Sequence, residues 1–143
     1  MSIATDVADA VVAELNGHTF EPTFEAKRKA IPEFDLDQLR ELRVTIIPRS
    51  LGKKAASRTE TRHTVAVDIG VQKKIISDLD TEVAELGELV DAISDYLCRR
   101  KLPDAPWASW HSDENEPIYA VEHLINHRVF TSVLTVRYTM LSE

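Results

Sequence analysis

The segment from Arg58 to Lys74 alternates with a period of two over its whole length, and this feature constrains the fold more than any other. In its second half, one face is almost entirely apolar and consists of His63, Val65, Val67, Ile69 and Val71. The positions between them are polar or small, which predicts a β-strand with one buried face. In the first half the alternation continues, but neither face is apolar. We therefore expect a strand that leaves the core and enters an arm.

Length and composition are typical of one globular domain, residues 1–143. The chain has 143 residues, 43% of them hydrophobic, so it can bury roughly two thirds of its unfolded surface. No apolar run approaches the roughly 20 residues that cross a bilayer, and the N-terminus carries acids where a signal peptide carries basic residues. We expect a soluble protein made in a cytosol, with no membrane partner. The single cysteine, Cys98, excludes an internal disulfide and is expected to lie partly buried on a helix.

The N-terminal part of the chain predicts a helix and an edge strand. Apolar residues at helical spacing place the helix from Ala4 to Leu15, and Asn16-Gly17 supplies a left-handed stop. The segment 19–31 alternates between apolar and charged residues. It therefore reads as a strand at the edge of a sheet, where charges guard against aggregation. Pro32 ends it.

A hairpin is predicted in the middle of the chain. Asp35 with Gln38 resembles a helix cap before a short apolar turn. A brief strand then covers Arg43 to Pro48, followed by a flexible polar loop, residues 49–58. The brief strand and the apolar half of the opening segment are expected to pair antiparallel, joined by a long, projecting hairpin.

The second half predicts one strong helix and two final strands. Residues 80–101 carry apolar residues at spacings of three and four, with acids at the start and three basic residues at the end, as the helix dipole favours. Residues 102–117 read as a proline-rich loop. Residues 118–125 and 129–140 are predicted to form a terminal hairpin. The expected fold is α+β, with an antiparallel or mixed β-sheet of four to five strands packed against two amphipathic helices and a protruding β-hairpin arm.

Charge is distributed unevenly along the chain. The net charge is −7, yet residues 49–74 hold seven basic and two acidic residues, giving +5 and leaving −12 for the remainder. A basic protrusion on an acidic body suits pairing between copies of one protein, although a solvated loop fits the same counts. The candidate interface residues in the predicted arm are Lys53, Lys54, Arg58, Glu60 and Arg62.

Signatures of catalysis and of cofactor or metal binding are missing from the sequence. The chain has 4 glycines and neither a phosphate-binding glycine loop nor a nucleophile elbow. The best metal candidates, Glu122, His123 and His127, fall in a predicted strand and turn, where the two histidines would not converge. The acids of the long helix read as a solvated face rather than an acid/base pair. We expect no enzymatic activity, no cofactor and no metal.

Two segments remain as candidates for binding. The arm is interpreted as a mobile loop, as a contact with a neighbouring subunit, or as a nucleic-acid site. The last interpretation is weakest, because no aromatic residues interleave with the basic ones. Trp107 and Trp110, in the proline-rich loop, either anchor a partner or pack back on their own domain.

The order of elements resembles that of tail terminator and tail-completion proteins of long-tailed bacteriophages, prophages and tail-like particles. The resemblance rests on a strand ending in proline (RVTIIPRS), a polar loop closing on Ser57-Arg58, and the strand TVAVDIGVQKKI. It continues through the acidic helix ELGELVDAISDYL and the final strand FTSVLTVRYTM. The likeness covers residues 7–138 and contains no single diagnostic motif.

This resemblance implies a structural protein of the virion, assembled in the bacterial host cytoplasm. Such a protein caps the tail tube as a ring, commonly a homo-oligomer of six subunits, which stops tube growth and joins the tail to the head connector. Its partners would be copies of itself, the tail tube protein and the head-tail connector protein. DNA would pass through the ring without specific binding. The alternatives are a connector, or neck, protein of the same particle and a host-side soluble protein-binding module.

Overall fold

The described residues form a five-stranded sheet with three α-helices. The computed structural model describes residues 2–32 and 36–142. In chain order, the elements are α1 Ile3–Asn16, β1 Ala26–Arg28, a 3₁₀ turn Gln38–Arg40, β2 Arg43–Ala55, β3 Thr61–Lys74, α2 Leu79–Leu97, β4 Ser109–Asn115, α3 Val121–His127 and β5 Val129–Ser142. The sheet order is β1-β2-β3-β5-β4. The β1–β2 pair is parallel and the other pairs are antiparallel, so the predicted α+β class with a mixed sheet is confirmed.

The core lies between one face of this sheet and the two long helices. Helix α1 packs on β2 and β3, and α2 packs on β5. The predicted inward face of β3 is confirmed, since all five of its residues are buried. The same holds for the alternate residues of β5 from Phe130 to Tyr138. Burying such large apolar side chains contributes about 1.5–3 kcal/mol each, which is the main source of stability here.

The connection from α1 to β1 differs from the prediction. Gly17 is right-handed, with φ −80°, so the expected left-handed stop is wrong. The side chain of Asn16 instead bonds to both backbone groups of Ala26, accepting from its N–H at 2.7 Å and donating to its carbonyl at 3.0 Å. This bidentate contact fixes β1 at the sheet edge. Only three residues of the predicted strand belong to β1, and before them Phe20 and Phe24 stack on each other near Tyr96 of α2.

The order of elements after α2 also differs from the prediction. The segment assigned to a loop contains β4, and the first strand of the predicted terminal hairpin is a turn followed by α3. Short apolar runs fit helix and strand equally, so periodicity did not separate them. Helix α3 ends at His127 and is followed by the capping residue Arg128, which is left-handed with φ 52°. The amide of Ala120, before the helix, donates to the carbonyl of Thr131 on β5.

The ends of the other helical segments need three smaller corrections. Helix α2 ends at Leu97 rather than after the three basic residues, and Arg99 beyond it is left-handed with φ 58°. Cys98 is exposed rather than partly buried. Gln38 begins the 3₁₀ turn, whereas Asp35, its predicted capping partner, lies outside the described residues. No helix in the described ranges is long and apolar enough to span a bilayer.

The start of α2 is held by Glu82, which is largely buried. Its carboxylate accepts from the amide of Ile76 at 3.0 Å and from the ammonium of Lys73 at 3.3 Å. Burial raises the pKa of Glu82, but the amide of Ile76 and the charge of Lys73 outweigh it, so the pKa lies below its ordinary value. This carboxylate therefore ties the end of β3 to the first turn of α2.

Replacing Glu82 by glutamine should lower the free energy of unfolding by on the order of 1–2 kcal/mol, since hydrogen bonds to a charged group are weakened. Because the folded-state pKa lies below the unfolded one, this stability is present above about pH 4.5 and is lost as pH falls through the folded value. Urea unfolding at neutral and acidic pH measures both effects. The matched control is Glu85→Gln, an exposed carboxylate one turn along. Equal losses in the two variants would contradict the role assigned to Glu82.

Candidate assembly interface

The predicted arm is a continuation of the sheet. Strand β2 runs past Pro48, through a bulge between Pro48 and Ser50, and pairs with β3 as far as Ala55 opposite Thr61. The segment assigned to a flexible loop is therefore mostly strand, and only residues 56–60 form the turn. That turn is closed by the amide of Ala56, which donates to the carbonyl of Glu60 at 3.0 Å. The arm is ordered because its own backbone bonds are satisfied.

The arm has three strands rather than two. Strand β5 follows β3 outward until Ser142 pairs with Thr61. At this level the ring of His63 is buried, with its Nε2 at 2.7 Å from the Ser142 hydroxyl. The strand predicted from Arg58 begins only at Thr61, since residues 58–60 lie in the turn. The outer half of β3 is held by backbone pairing on both sides, so it needs no apolar face.

Four basic side chains of the arm, which we call the arm cations, point in different directions. They are Lys53, Lys54, Arg58 and Arg62, all of them exposed. Lys54 lies directly opposite Arg62 on one face of the sheet, while Lys53 lies opposite His63 on the other face. Arg58 and Glu60 are in the turn. The structure thus places all five predicted interface residues in the arm, but it does not bring them to a single face.

The positive charges of the arm cations are not neutralised by described residues of the same chain. Within residues 2–32 and 36–142, none of them makes an ion pair or a side-chain hydrogen bond. Lys54 and Arg62 are like charges in directly opposed positions of an antiparallel pair, which destabilises the isolated chain. A partner surface with carboxylates would relieve this repulsion.

The two tryptophans have different environments. Trp110 lies in β4 opposite Tyr138 and packs partly against the core. Trp107, just before β4, is 40% exposed. It lines a surface groove of about 350 Å³ together with Arg62, Ser109 and Leu141. The structure therefore joins Trp107 to the arm, a juxtaposition that the sequence analysis missed because it did not recognise β4.

Exposed carboxylates cover the outer face of α2. The helix contains no lysine or arginine, and of its acids only Glu82 forms an ion pair with a described residue. The remaining acids of the helix are Asp80, Glu85, Glu88, Asp91 and Asp95, all of them exposed.

A second acidic surface lies at the end of β4. There the side chains of Glu116 and Glu114 lie close enough for a hydrogen bond that favours the neutral form of Glu116, and the charge of Glu114 disfavours its ionised form. Both effects raise the pKa of Glu116. The chain therefore offers two acidic surfaces, the face of α2 and the end of β4, to a basic partner.

The histidines of α3 were assigned to the wrong element. They lie on a helix, four residues apart, and His123 Nδ1 is 2.9 Å from the hydroxyl of Thr131. The part of the chain that the structure describes contains no cluster of three His, Cys, Asp or Glu residues arranged to hold a metal ion. The exposed surface of α3 also carries two apolar side chains, Val121 and Ile125, which are one turn apart and 55% and 74% exposed. Their spacing of four was the sequence signal for this face.

No protein-family model matches the chain, and no curated protein matches it in sequence.

Proposed function

We propose that the protein is a structural component of a virion or tail-like particle that caps the end of the tail tube as a ring, ends tube polymerisation and provides the joint to the head connector. The proposed partners are further copies of the chain, commonly six to a ring, together with the tail tube protein and the connector protein. DNA passes through the ring without specific binding. The protein has no enzymatic activity in this proposal and acts at the head-proximal end of the tail.

The observation that carries this proposal is the pair Lys54 and Arg62, which lie opposite each other on a strand-paired arm without a counterion from the described chain. A basic, strand-paired arm on a body rich in unpaired carboxylates is suited to contact between copies, because opposite charges guide association and set its register. The order of elements, similar to that of tail terminators, supplies the particular assembly. Residues 49–62 themselves contain no aromatic residue between the basic ones, which disfavours nucleic acid as the partner of this hairpin.

The test is deletion of the gene from the phage or prophage that carries it, followed by negative-stain electron microscopy of the lysate. We expect tails of irregular, excessive length beside unattached heads, because nothing would stop tube growth. Complementation with the intact gene is the control. Tails of normal length beside unattached heads would contradict the terminator role and favour a connector.

A host-side binding module is the second candidate, and the exposed Trp107 beside Arg62 is the observation that favours it. Such a module would bind one partner as a monomer. Deletion would then leave tail length and head attachment unchanged.

A further inference from the structure

The sheet has two free edges that face away from each other. Strand β1 pairs with β2 only at Val44–Ile46, and the amide of Lys29 adds one bond to Ile46. From residue 48 to 55, no strand in the described ranges pairs with the outer side of β2. Strand β4 forms the opposite edge, and its outer side likewise has no strand partner among those residues. Exposed edges of this kind are templates for pairing with another chain.

The two edges carry opposite charge. Residues 48–55 on β2 contain Arg49, Lys53 and Lys54, and residues 109–116 on and after β4 contain Asp113, Glu114 and Glu116. Arg49 pairs with Asp68 and Glu114 pairs with Arg137 in the same chain, which leaves Lys53 and Lys54 on the first edge and Asp113 and Glu116 on the second without an ion pair. Two copies brought together through unlike edges therefore attract, while two β2 edges or two β4 edges repel. The charges thus favour a head-to-tail arrangement over a symmetric dimer.

The strand directions are compatible with such a pairing. Strand β2 is antiparallel to β3, β3 to β5, and β5 to β4, so β2 and β4 run in opposite directions within one chain. A second copy related by rotation about an axis roughly along the strands keeps those directions. Its β2 then meets the β4 of the first copy antiparallel, and antiparallel pairs are the more stable kind.

The two free edges also lie at the same position along the strand direction. One row of paired residues runs from Gly52 through Thr64 and Thr139 to Ser109. Continuing this row across the gap between copies places Ser109 opposite Gly52 of the next copy. Lys54, two residues further out, then approaches the groove that Trp107 lines, where a cation over an indole is stabilised.

We propose that the β2 edge of one copy, residues 48–55, pairs antiparallel with the β4 edge of another copy, residues 109–115, so that the sheet continues from subunit to subunit. A contact between two unlike surfaces generates a ring when the rotation closes. The inference rests on the proposed function, which requires a ring, and it names the surfaces that build the ring. The acidic face of α2 is then left for a different contact.

Disulfide trapping tests this pairing in the full chain. In a Cys98→Ser background, Gly52→Cys is combined with Ser109→Cys; both positions are exposed, and a Cβ at Gly52 meets nothing within 4 Å. Opposed residues of paired strands have Cα atoms about 5 Å apart, within disulfide range. Within one chain the two edges are separated by three strand spacings, about 14 Å, so an intramolecular bond cannot form.

The expected result after mild oxidation is a ladder of covalent oligomers that ends at one largest species, with native mass spectrometry giving its subunit number. If the two strands pair in a register shifted from Ser109 opposite Gly52, the combinations of Gly52→Cys with Trp107→Cys or with Ser112→Cys should form the disulfide instead. The matched control is Gly52→Cys with Asp95→Cys, an exposed position on α2. Each single-cysteine variant controls for random collision.

A ladder in the Asp95 variant but not in the edge variants would overturn the inference and place the α2 face against the arm. A chain that remains monomeric at its highest soluble concentration, with no ladder in any variant, would also overturn it, since the lysines then serve only to guard the edge. Both results leave the tail-capping proposal to be judged by tail length. Conversely, an edge ladder together with normal tail length would uphold the pairing and reject the capping role.

Discussion

Replacing all four arm cations by glutamate should abolish particle assembly while leaving the subunit folded. The folded state is expected to tolerate the change, because Lys54 and Arg62 already repel each other and two glutamates repel similarly. Exposed ion pairs contribute about 0.2–1 kcal/mol each, and reversal turns each attraction into a repulsion. The summed loss of a few kcal/mol weakens an interface by roughly 100-fold. Thermal unfolding of the purified variant and the titre of infectious particles measure the two expectations.

A second variant distinguishes loss of the arm contact from a general effect of the changed net charge. Reversing Lys27, Lys29, Arg99 and Lys101 gives the same change in net charge at exposed positions outside the arm. This variant should assemble nearly as the wild type does. If the arm variant also assembled at full titre, the arm would not be an interface, and the cross-strand repulsion would need another explanation.

The sequence predicted the fold best where one segment carried a long, unambiguous pattern. The inward face of β3, the apolar stripe of α2 and the inward face of β5 are confirmed. In each case the residues that alternate or recur are those that bury area, so local pattern and packing agree. The prediction was wrong for β4 and α3. The polar sequence SWHSDEN becomes a strand because β5 offers it a partner, and no local pattern reports such a long-range pairing.

The candidate interface was predicted in outline and corrected in geometry. The basic arm was recognisable because the excess of basic residues can be counted directly in the sequence. That Lys53 and Lys54 point to opposite faces follows from strand geometry once residues 49–55 are known to be extended. The groove shared by Trp107 and Arg62 was not predictable, because it depends on β4 and β3 flanking β5 on its two sides. The free edges are likewise a property of strand order, which the sequence does not display.

Replacing Phe130 by alanine should cause a larger loss of stability than replacing Glu82 or the arm cations. Its side chain is fully buried at the start of β5, opposite Lys73 and 6.3 Å from the ring of Tyr119. Truncation removes most of an aromatic side chain and leaves a cavity, which costs about 3–5 kcal/mol. Since domains have only about 5–15 kcal/mol in total, the melting temperature should fall by on the order of 10 °C. Urea and thermal unfolding measure the change.

Phe130→Leu is the matched control, because it keeps most of the apolar volume and should cost less than about 1.5 kcal/mol. Similar losses for the two variants would mean that the site collapses around the missing ring. The alanine variant also separates stability from assembly. At low temperature it should still form rings, since its edges and arm cations are intact, and it should fail only as the temperature approaches its lowered melting point. The variant with four arm glutamates should show the opposite behaviour and form no rings at any temperature. Its subunit is already folded, so cooling does not remove the charge repulsion that blocks assembly.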